Sequence, residues 1–277
     1  MPLSFTKMHG LGNDFIVIDA IRQSIKPQNL DIRTLARRDI GIGFDQCLLI
    51  EMSIDKTIDF FYRIFNADGQ EVGQCGNGAR CLARFVTHYG LTKKKKITVA
   101  TKTTRMSLQI NKDNSVTVDF GKPVFEPKLI PLRAAVQRPF YFLPLKNGQQ
   151  HQIHALSVGN PHAITLVEDL ANTPVAELGK EISEHSLFPE QTNAGFMEII
   201  DNNRIALRVY ERGCGETRAC GSGAVAAAIA ARFYHNLASC IDVLLPGGAL
   251  RVEWSDATQS VSLTGPATFV YEGILCA

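Results

Sequence analysis

The sequence has no strong excess of charge of either sign. Its 277 residues include 29 Lys and Arg against 27 Asp and Glu, which gives a formal net charge of +2. A chain so close to balance offers no electrostatic reason to expect a nucleic acid or an anionic membrane as a partner. The dense basic run Lys93–Lys96 lies between Gly90 and a predicted strand, which favours a solvated turn.

Long apolar runs are also missing. Phe15–Ile18 is interrupted by Asp19, and Ala224–Ala231 is too short to span a bilayer. The amino terminus lacks a charged region followed by a long apolar core. We therefore expect a cytoplasmic protein without a membrane-spanning segment. The seven cysteines are an odd number, which fits reduced thiols better than a framework of paired disulfides.

The sequence does contain an internal repeat around two cysteines. The segments Cys75–Ala79 (CGNGA) and Cys220–Ala224 (CGSGA) each lead into a helix-forming stretch. Nearly the same offset places further residues opposite each other, namely Glu71 and Glu216, Asn13 and Asn160, and Gln46 and Asn193. Chance similarity between two segments rich in Gly and Ala is the alternative. The retained order and spacing of the polar pairs favour duplication of a domain.

Strand-like runs dominate both halves, from Phe15–Ala20 to Ser260–Leu263. The predicted helices are Leu30–Arg38, Asn77–Tyr89, Pro174–His185 and Ser222–Tyr234. We predict an α/β (α+β) protein of two pseudo-symmetric domains, each a β-barrel-like sheet wrapped around one central helix. The first domain comprises residues 1–120, with residues 267–277 returning to it, and the second comprises residues 121–266.

The repeated cysteines suggest acid–base chemistry. Each precedes a glycine turn that opens a helix, where unpaired amides and the helix dipole lower the pKa of a thiol. The same amides can bind a carboxylate. A carboxylate held between two thiols suits inversion at an α-carbon, because one thiolate removes the α-proton and the other thiol protonates the opposite face. We therefore predict Cys75 and Cys220 as a catalytic pair, acting between the two halves.

Other uses of the cysteines fit the sequence less well. A zinc site would need close ligand pairs, which neither Cys75 nor Cys220 shows. A disulfide between the two would be a side reaction under oxidation. Cysteines predicted to be small buried hydrophobic residues are Cys47, Cys81, Cys240 and Cys276. Cys214 lies in a predicted turn beside Glu211 and Arg212 and receives no role.

Three longer motifs resemble those of the diaminopimelate epimerase family. Lys7–Phe15 (KMHGLGNDF) is similar to the opening motif, Asn66–Cys81 to the first active-site signature, and Glu211–Gly221 to the second. The resemblance extends over nearly the whole chain. Two positions depart from the family pattern. Ser222 replaces the usual threonine but keeps the hydroxyl, and Gln74 stands where methionine often precedes the cysteine.

The resemblance implies a cofactor-independent epimerase that interconverts LL- and meso-diaminopimelate in lysine and peptidoglycan precursor biosynthesis. It also implies a homodimer whose two domains close around a small-molecule substrate. Cys75 and Cys220 would be the acid–base pair. Residues implied to bind the reacting carboxylate are Gly76, Asn77, Gly221 and Ser222. Residues implied to hold the rest of the substrate are Asn13, Gln46, Asn66, Asn160, Asn193, Glu211 and Arg212, with His162 and Glu211 as auxiliary polar groups near the reacting centre.

Two rival functions remain open at this stage. A proline or hydroxyproline racemase-like isomerase would also use two cysteines as acid and base, but its first cysteine motif typically has histidine where Asn77 stands. Such an enzyme also has no need for Arg212, whose planar fork matches a distal carboxylate better than lysine would. A non-catalytic amino-acid-binding module of the same fold would not need a second thiol. The asparagines, taken singly, could equally cap loops and turns.

Overall fold

The computed structural model describes residues 2–73 and 75–275, which divide into two compact units. The first unit comprises the chain up to Val118 together with the segment from Gly265 onward, and the second comprises Asp119–Thr264. Gln74 and Cys276, both singled out above, lie outside the described residues, as does the end of the predicted returning segment 267–277. The assignment of each unit as an epimerase domain stays a prediction.

The first unit is a sheet with two α-helices inserted between its strands. Its elements are β1 (Leu3–Gly10), β2 (Asn13–Asp19), a 3₁₀ turn (Pro27–Asn29), α1 (Ile32–Ala36), β3 (Gln46–Met52), β4 (Phe60–Asn66), β5 (Glu71–Val72), α2 (Gly76–His88), β6 (Lys96–Ala100), β7 (Arg105–Ile110) and β8 (Val116–Asp119). Two strand pairs, β2 with β3 and β4 with β6, are parallel. Parallel neighbours need a crossover connection, and α1 and α2 lie in these crossovers.

After a 3₁₀ turn and one additional strand, the second unit repeats this order of strands and α-helices. Its elements are a 3₁₀ turn (Pro127–Leu129), β9 (Tyr141–Pro144), β10 (Gln150–Ser157), β11 (Pro161–Leu166), α3 (Val175–Ser183), β12 (Asn193–Asp201), β13 (Arg204–Glu211), β14 (Gly215–Thr217), α4 (Gly221–His235), β15 (Cys240–Leu245), β16 (Gly248–Glu253) and β17 (Ser262–Gly265). The parallel pairs are β11 with β12 and β13 with β15, with α3 and α4 in the crossovers. The final strand, β18 (Thr268–Leu275), belongs to the first unit, where it pairs with β1.

A matching ion pair marks the duplication at the level of side chains. In the first unit Arg63 on β4 contacts Glu71 on β5 with an N–O distance of 2.7 Å. In the second unit Arg208 on β13 contacts Glu216 on β14 at the same distance. Both pairs join neighbouring antiparallel strands. The repeated topology and this repeated contact confirm the predicted α/β class and its two pseudo-symmetric halves.

Each unit buries one central helix against its own sheet. Helix α2 packs on β1, β2, β3 and β7, and α4 packs on strands from β10 to β16. Ten residues of α4 are buried, and six of them are alanine. Such small side chains let a helix pack closely on several sides without overfilling the core. Both helices begin directly after a predicted catalytic cysteine, so the packing of α2 and α4 fixes the positions of the two sulfurs.

Three expectations from the sequence need correction. Cys240 is exposed at the start of β15, because strand alternation turns its side chain away from the buried Ile241 and Val243. Helix α1 is shorter than Leu30–Arg38, since Leu30 and Arg37 both have extended backbone. Strands β1 and β18 were not predicted. Within the described part of the chain, no helix has the length and apolar character of a membrane span.

Candidate active site

Cys75 is the N-cap of α2. Its backbone is extended (φ −153°, ψ 107°), and its Sγ accepts a hydrogen bond from the amide of Gly78 with an S–N distance of 3.3 Å. The sulfur therefore takes the place that an Asp or Ser oxygen usually fills at a helix start, where one of the unpaired amides needs an acceptor. Cys75 is half-buried, so a small ligand can reach it.

Amide side chains surround this first cysteine. The Sγ of Cys75 lies 3.9 Å from Oδ1 of Asn13, at the long limit for a sulfur hydrogen bond. The same oxygen accepts a hydrogen bond from Nδ2 of Asn77 at 3.1 Å. The Nδ2 of Asn13 in turn donates to Asp45 at 3.0 Å. Two predicted substrate-binding asparagines thus lie together beside the sulfur, although they come from β2 and α2.

Gln46 and Asn66 form a second predicted pair in the same unit. They lie opposite each other on β3 and β4, and Nε2 of Gln46 donates to Oδ1 of Asn66 at 2.8 Å. The Oε1 of Gln46 is buried and has no hydrogen-bond partner among residues 2–73 and 75–275. A buried acceptor without a donor is costly. A substrate ammonium group is the kind of donor that would satisfy it.

Cys220 is the N-cap of α4 and repeats the geometry of Cys75. Its Sγ accepts from the amide of Gly223 at 3.3 Å, the same distance as in the first unit. The hydroxyl of Ser222 lies 3.6 Å from the sulfur and also accepts from Nδ2 of Asn160 at 3.3 Å. Ser222 therefore keeps a hydroxyl contact with the cysteine despite its departure from the family pattern.

Glycine leaves space at the third position after each cysteine. A Cβ added at Gly78 would lie 3.4 Å from Sγ of Cys75, and one at Gly223 would lie 3.2 Å from Sγ of Cys220. At Gly223 the same Cβ would also lie 3.0 Å from Val209. A side chain at either position would therefore be tightly packed against the sulfur and its neighbours.

Burial raises the pKa of the Cys220 thiol well above its ordinary value, and the neighbouring charge of Glu211 raises it further. The helix N-terminus was expected to lower it. The hydrogen bonds from Ser222 and Gly223 do favour the thiolate, but they do not overcome the loss of water around a side chain that is only 3% exposed. The prediction of a depressed pKa is therefore wrong for Cys220, which is a protonated thiol at neutral pH.

Glu211 is held next to this thiol. Its Oε1 accepts a hydrogen bond from the hydroxyl of Thr217 at 2.6 Å. Burial raises the pKa of the Glu211 carboxyl, while the hydrogen bonds to Thr217 and Cys220 lower it. Thr217 lies within the second motif, but nothing in the sequence distinguished it as the group that orients Glu211. Only the hairpin of β13 and β14 brings it into contact.

His162 reaches Cys220 only through other side chains. Its Nε2 lies 3.2 Å from Oδ1 of Asn160, and because an amide oxygen only accepts, Nε2 carries the ring proton. Asn160 then contacts Ser222, which contacts Cys220. Burial, with a smaller contribution from Arg212, lowers the pKa of His162 to about 3. His162 is thus a neutral group that orients Asn160.

Arg212 and Asn193 meet at the end of β13. The backbone amide of Arg212 donates to Oδ1 of the buried Asn193 at 3.0 Å, and its Nη1 donates to the carbonyl of Glu190 at 2.9 Å. The Arg212 side chain is otherwise exposed. Cys214, in the following turn, is exposed as well, and its amide donates to the carbonyl of Glu211 at 3.1 Å.

Two of the remaining cysteines behave as predicted. Cys47 on β3 and Cys81 on α2 are fully buried, and burial raises the pKa of each thiol to about 12. In the described part of the chain, no three His, Cys, Asp or Glu side chains are gathered as a metal site would require.

His162 should make the stability of the protein depend on pH. Its folded pKa of about 3 lies below the value of about 6.5 in an unfolded chain, so the unfolded state takes up a proton first as the pH falls. The free energy of unfolding therefore decreases by about 1.4 kcal/mol per pH unit below pH 6.5 for this group. His162→Asn lacks this loss. Urea titrations should therefore show that the wild type's advantage in free energy of unfolding over the variant falls by about 1 kcal/mol from pH 7 to pH 5.5. A gap that is independent of pH would contradict the assignment, since all other histidines cancel in the comparison.

Comparisons with known proteins agree with this arrangement. The sequence profile of the family described as diaminopimelate epimerase matches residues 5–126 and 154–270. The diaminopimelate epimerase of Legionella pneumophila strain Philadelphia 1 is 62% identical over 275 residues, covering 99% of each chain. The corresponding protein of the Paris strain is 61% identical over 275 residues with the same coverage.

Solved structures extend the likeness to the fold. A hydroxyproline epimerase from Agrobacterium vitis has a TM-score of 0.71 at 12% identity, covering 99% of this chain and 92% of that one. A phenazine biosynthesis protein of the PhzF family from Bacillus anthracis has a TM-score of 0.70 at 16% identity, covering 100% of both. At such identities the likeness concerns the fold alone. The profile match and the full-length relatives, taken with the duplicated cysteine caps, show that this chain belongs to the diaminopimelate epimerase family.

Proposed function

We propose that the protein interconverts LL- and meso-diaminopimelate by a two-cysteine mechanism without a cofactor, in the synthesis of lysine and peptidoglycan precursors. The observation that carries this proposal is the repeated N-cap. Cys75 and Cys220 each accept one helix amide at 3.3 Å, and each lies beside an amide or hydroxyl side chain suited to a carboxylate ligand. A binding protein would have no use for a second thiol in the same setting.

Cys75 and Cys220 have different surroundings, which supports different resting roles. Cys220 is buried and next to Glu211, so it starts as the proton donor. Cys75 is only half-buried and its Sγ accepts the amide of Gly78, so it starts as the base. The Cys75 thiolate removes the α-proton from one face, and Cys220 delivers its proton to the other. The cycle ends with Cys75 protonated and Cys220 as thiolate, and that state serves the opposite isomer.

The carbanion formed between the two transfers needs stabilisation. Its charge spreads into the adjacent carboxylate, where hydrogen-bond donors lower the energy of the transition state. Gly76 and Asn77 begin α2, and Gly221 and Ser222 begin α4, so both pairs lie at helix starts, where backbone amides and the helix dipole favour an anion. These four residues bind the reacting carboxylate. Asn13, Gln46, Asn66, Asn160 and Asn193 hold the polar groups of the rest of the substrate.

The proposed homodimer and cytoplasmic location rest on the family resemblance and on the composition. The small-molecule nature of the substrate is consistent with the family. Arg212 supports a substrate with a carboxylate at each end, because a guanidinium binds a carboxylate with two parallel hydrogen bonds.

The proposal is tested by incubating the purified enzyme with LL-diaminopimelate in heavy water, with L-lysine and L-proline in parallel. We expect deuterium at one α-carbon together with formation of the meso isomer, and neither exchange nor inversion with the other amino acids. Inversion of proline would favour the racemase-like alternative. Binding of diaminopimelate without exchange in either isomer would instead indicate a binding module.

A further inference from the structure

Arg80 is a fully buried cation in the first unit. It lies on α2, one turn after the cysteine cap, and its side chain has no exposed surface. Its Nη2 donates to Oδ1 of Asn77 at 2.9 Å, and its Nε donates to the carbonyl of Pro266 at 3.1 Å. Its Nη1 is buried without a hydrogen-bond partner among the described residues.

No carboxylate balances this charge. Among residues 2–73 and 75–275, no Asp or Glu lies within ion-pair distance of the Arg80 guanidinium, whereas Arg63 on the nearby β4 is paired with Glu71. Burying a charge without a counter-ion costs several kcal/mol. A neutral glutamine could donate to the carbonyl of Pro266 without burying a charge. An unpaired, buried guanidinium therefore suggests a counter-charge that forms only when a neighbouring group ionises.

The hydrogen bonds connect Arg80 to the cysteine. Because the Arg80 fork only donates, it fixes Oδ1 of Asn77 toward itself and turns Nδ2 of Asn77 toward Asn13. Asn13 in turn presents its Oδ1 to the Sγ of Cys75 at 3.9 Å. Gly10 leaves the room for this arrangement, since a Cβ there would lie 3.0 Å from Nη2 of Arg80 and 3.3 Å from Cβ of Asn77.

We propose that Arg80 is a positioning residue that orients Asn77 and serves as the buried counter-charge for the thiolate of Cys75. Burial lowers the pKa of Arg80, and the charges of Cys81 and of Cys75 raise it, so Arg80 and Cys75 interact electrostatically. A cation near a thiol favours its ionised form. The consequence for catalysis rests on the proposed function, but the effect on the thiol does not.

The test measures the reactivity of Cys75 rather than turnover. Iodoacetamide alkylation is followed against pH, and the modified Cys75 peptide is quantified by mass spectrometry. In Arg80→Gln, the pH at half-maximal alkylation should rise by about 1 unit, because the counter-charge is gone. Arg80→Lys keeps the positive charge but loses the planar fork, so its midpoint should lie between those of the wild type and Arg80→Gln. Arg84→Gln, on the same helix and bonded to the carbonyl of Asn114, is the matched control and should leave the midpoint unchanged.

Gly10→Ala provides an independent arm that retains the charge. The added methyl displaces the guanidinium from Asn77, so the Cys75 midpoint should rise by a few tenths of a unit and kcat should fall more than KM changes. This variant decides the question if Arg80→Gln does not fold. An unchanged midpoint in a folded Arg80→Gln, or in Gly10→Ala when the former fails to fold, overturns the proposal. Alkylation needs no substrate, so this test is independent of the epimerase assignment. If that assignment fails instead, the alkylation midpoint still shifts but diaminopimelate is not inverted.

Discussion

Alanine at Cys75 or at Cys220 should lower the rate of diaminopimelate epimerisation by about 10³-fold or more. Each thiol reaches one face of the α-carbon, so loss of either one stops inversion in both directions. The fold should survive, because each side chain contributes one cap hydrogen bond, and removal of a cap costs about 1 kcal/mol. The measurement is the rate of meso formation from the LL isomer, with circular dichroism to confirm the fold.

Proton exchange separates the two bases. Cys220→Ala retains the Cys75 base, so it should exchange the α-hydrogen of one isomer with solvent deuterium while keeping its configuration. Cys75→Ala should do the same with the other isomer. Cys214→Ala and Cys240→Ala, both at exposed cysteines, are the matched controls and should retain wild-type rates. Inversion at the full rate in either Cys75→Ala or Cys220→Ala would remove the two-base mechanism.

The cysteine caps were predictable from the sequence because their causes are local. A cysteine followed by glycines and a helix-forming stretch specifies a helix start within five residues, and the repeat shows it twice. The repeat also predicted that both halves share one topology, which the matching pairs Arg63–Glu71 and Arg208–Glu216 illustrate. Local patterns and internal comparison were sufficient for these features.

The remaining features depend on distant parts of the chain. Strand β1 mixes apolar and polar residues without a clear local strand pattern. It forms by pairing with β18 at the other end of the sequence, where Leu3 lies opposite Leu275. The burial of Arg80 depends on the carbonyl of Pro266, which is equally remote. The raised pKa of Cys220 depends on how deeply α4 is packed. The residues in these contacts are far apart in the sequence. Local patterns therefore identify the residues but do not predict that they meet.

Arg212→Met should lower kcat/KM for diaminopimelate by about 10²-fold or more, because two charge-assisted hydrogen bonds to the distal carboxylate are lost. Within the described residues, the one donor of this exposed side chain that bonds to the protein is Nη1, which donates to the carbonyl of Glu190. The rest of the fork is available to a ligand. Arg212→Lys should recover little of the loss, since an ammonium group cannot make the paired contact.

The matched control for this prediction is Arg133→Met. Arg133 is also exposed in the second unit, and its Nη1 donates to the carbonyl of Ser186 at 3.2 Å, so the substitution removes a comparable contact and the same charge. It should leave kcat/KM unchanged if the effect at Arg212 comes from substrate recognition rather than from net charge. Equal losses in both variants would remove Arg212 from the binding site. A normal kcat/KM in Arg212→Met would mean that the distal carboxylate is bound elsewhere, and the preference for a substrate with two carboxylates would then need another source.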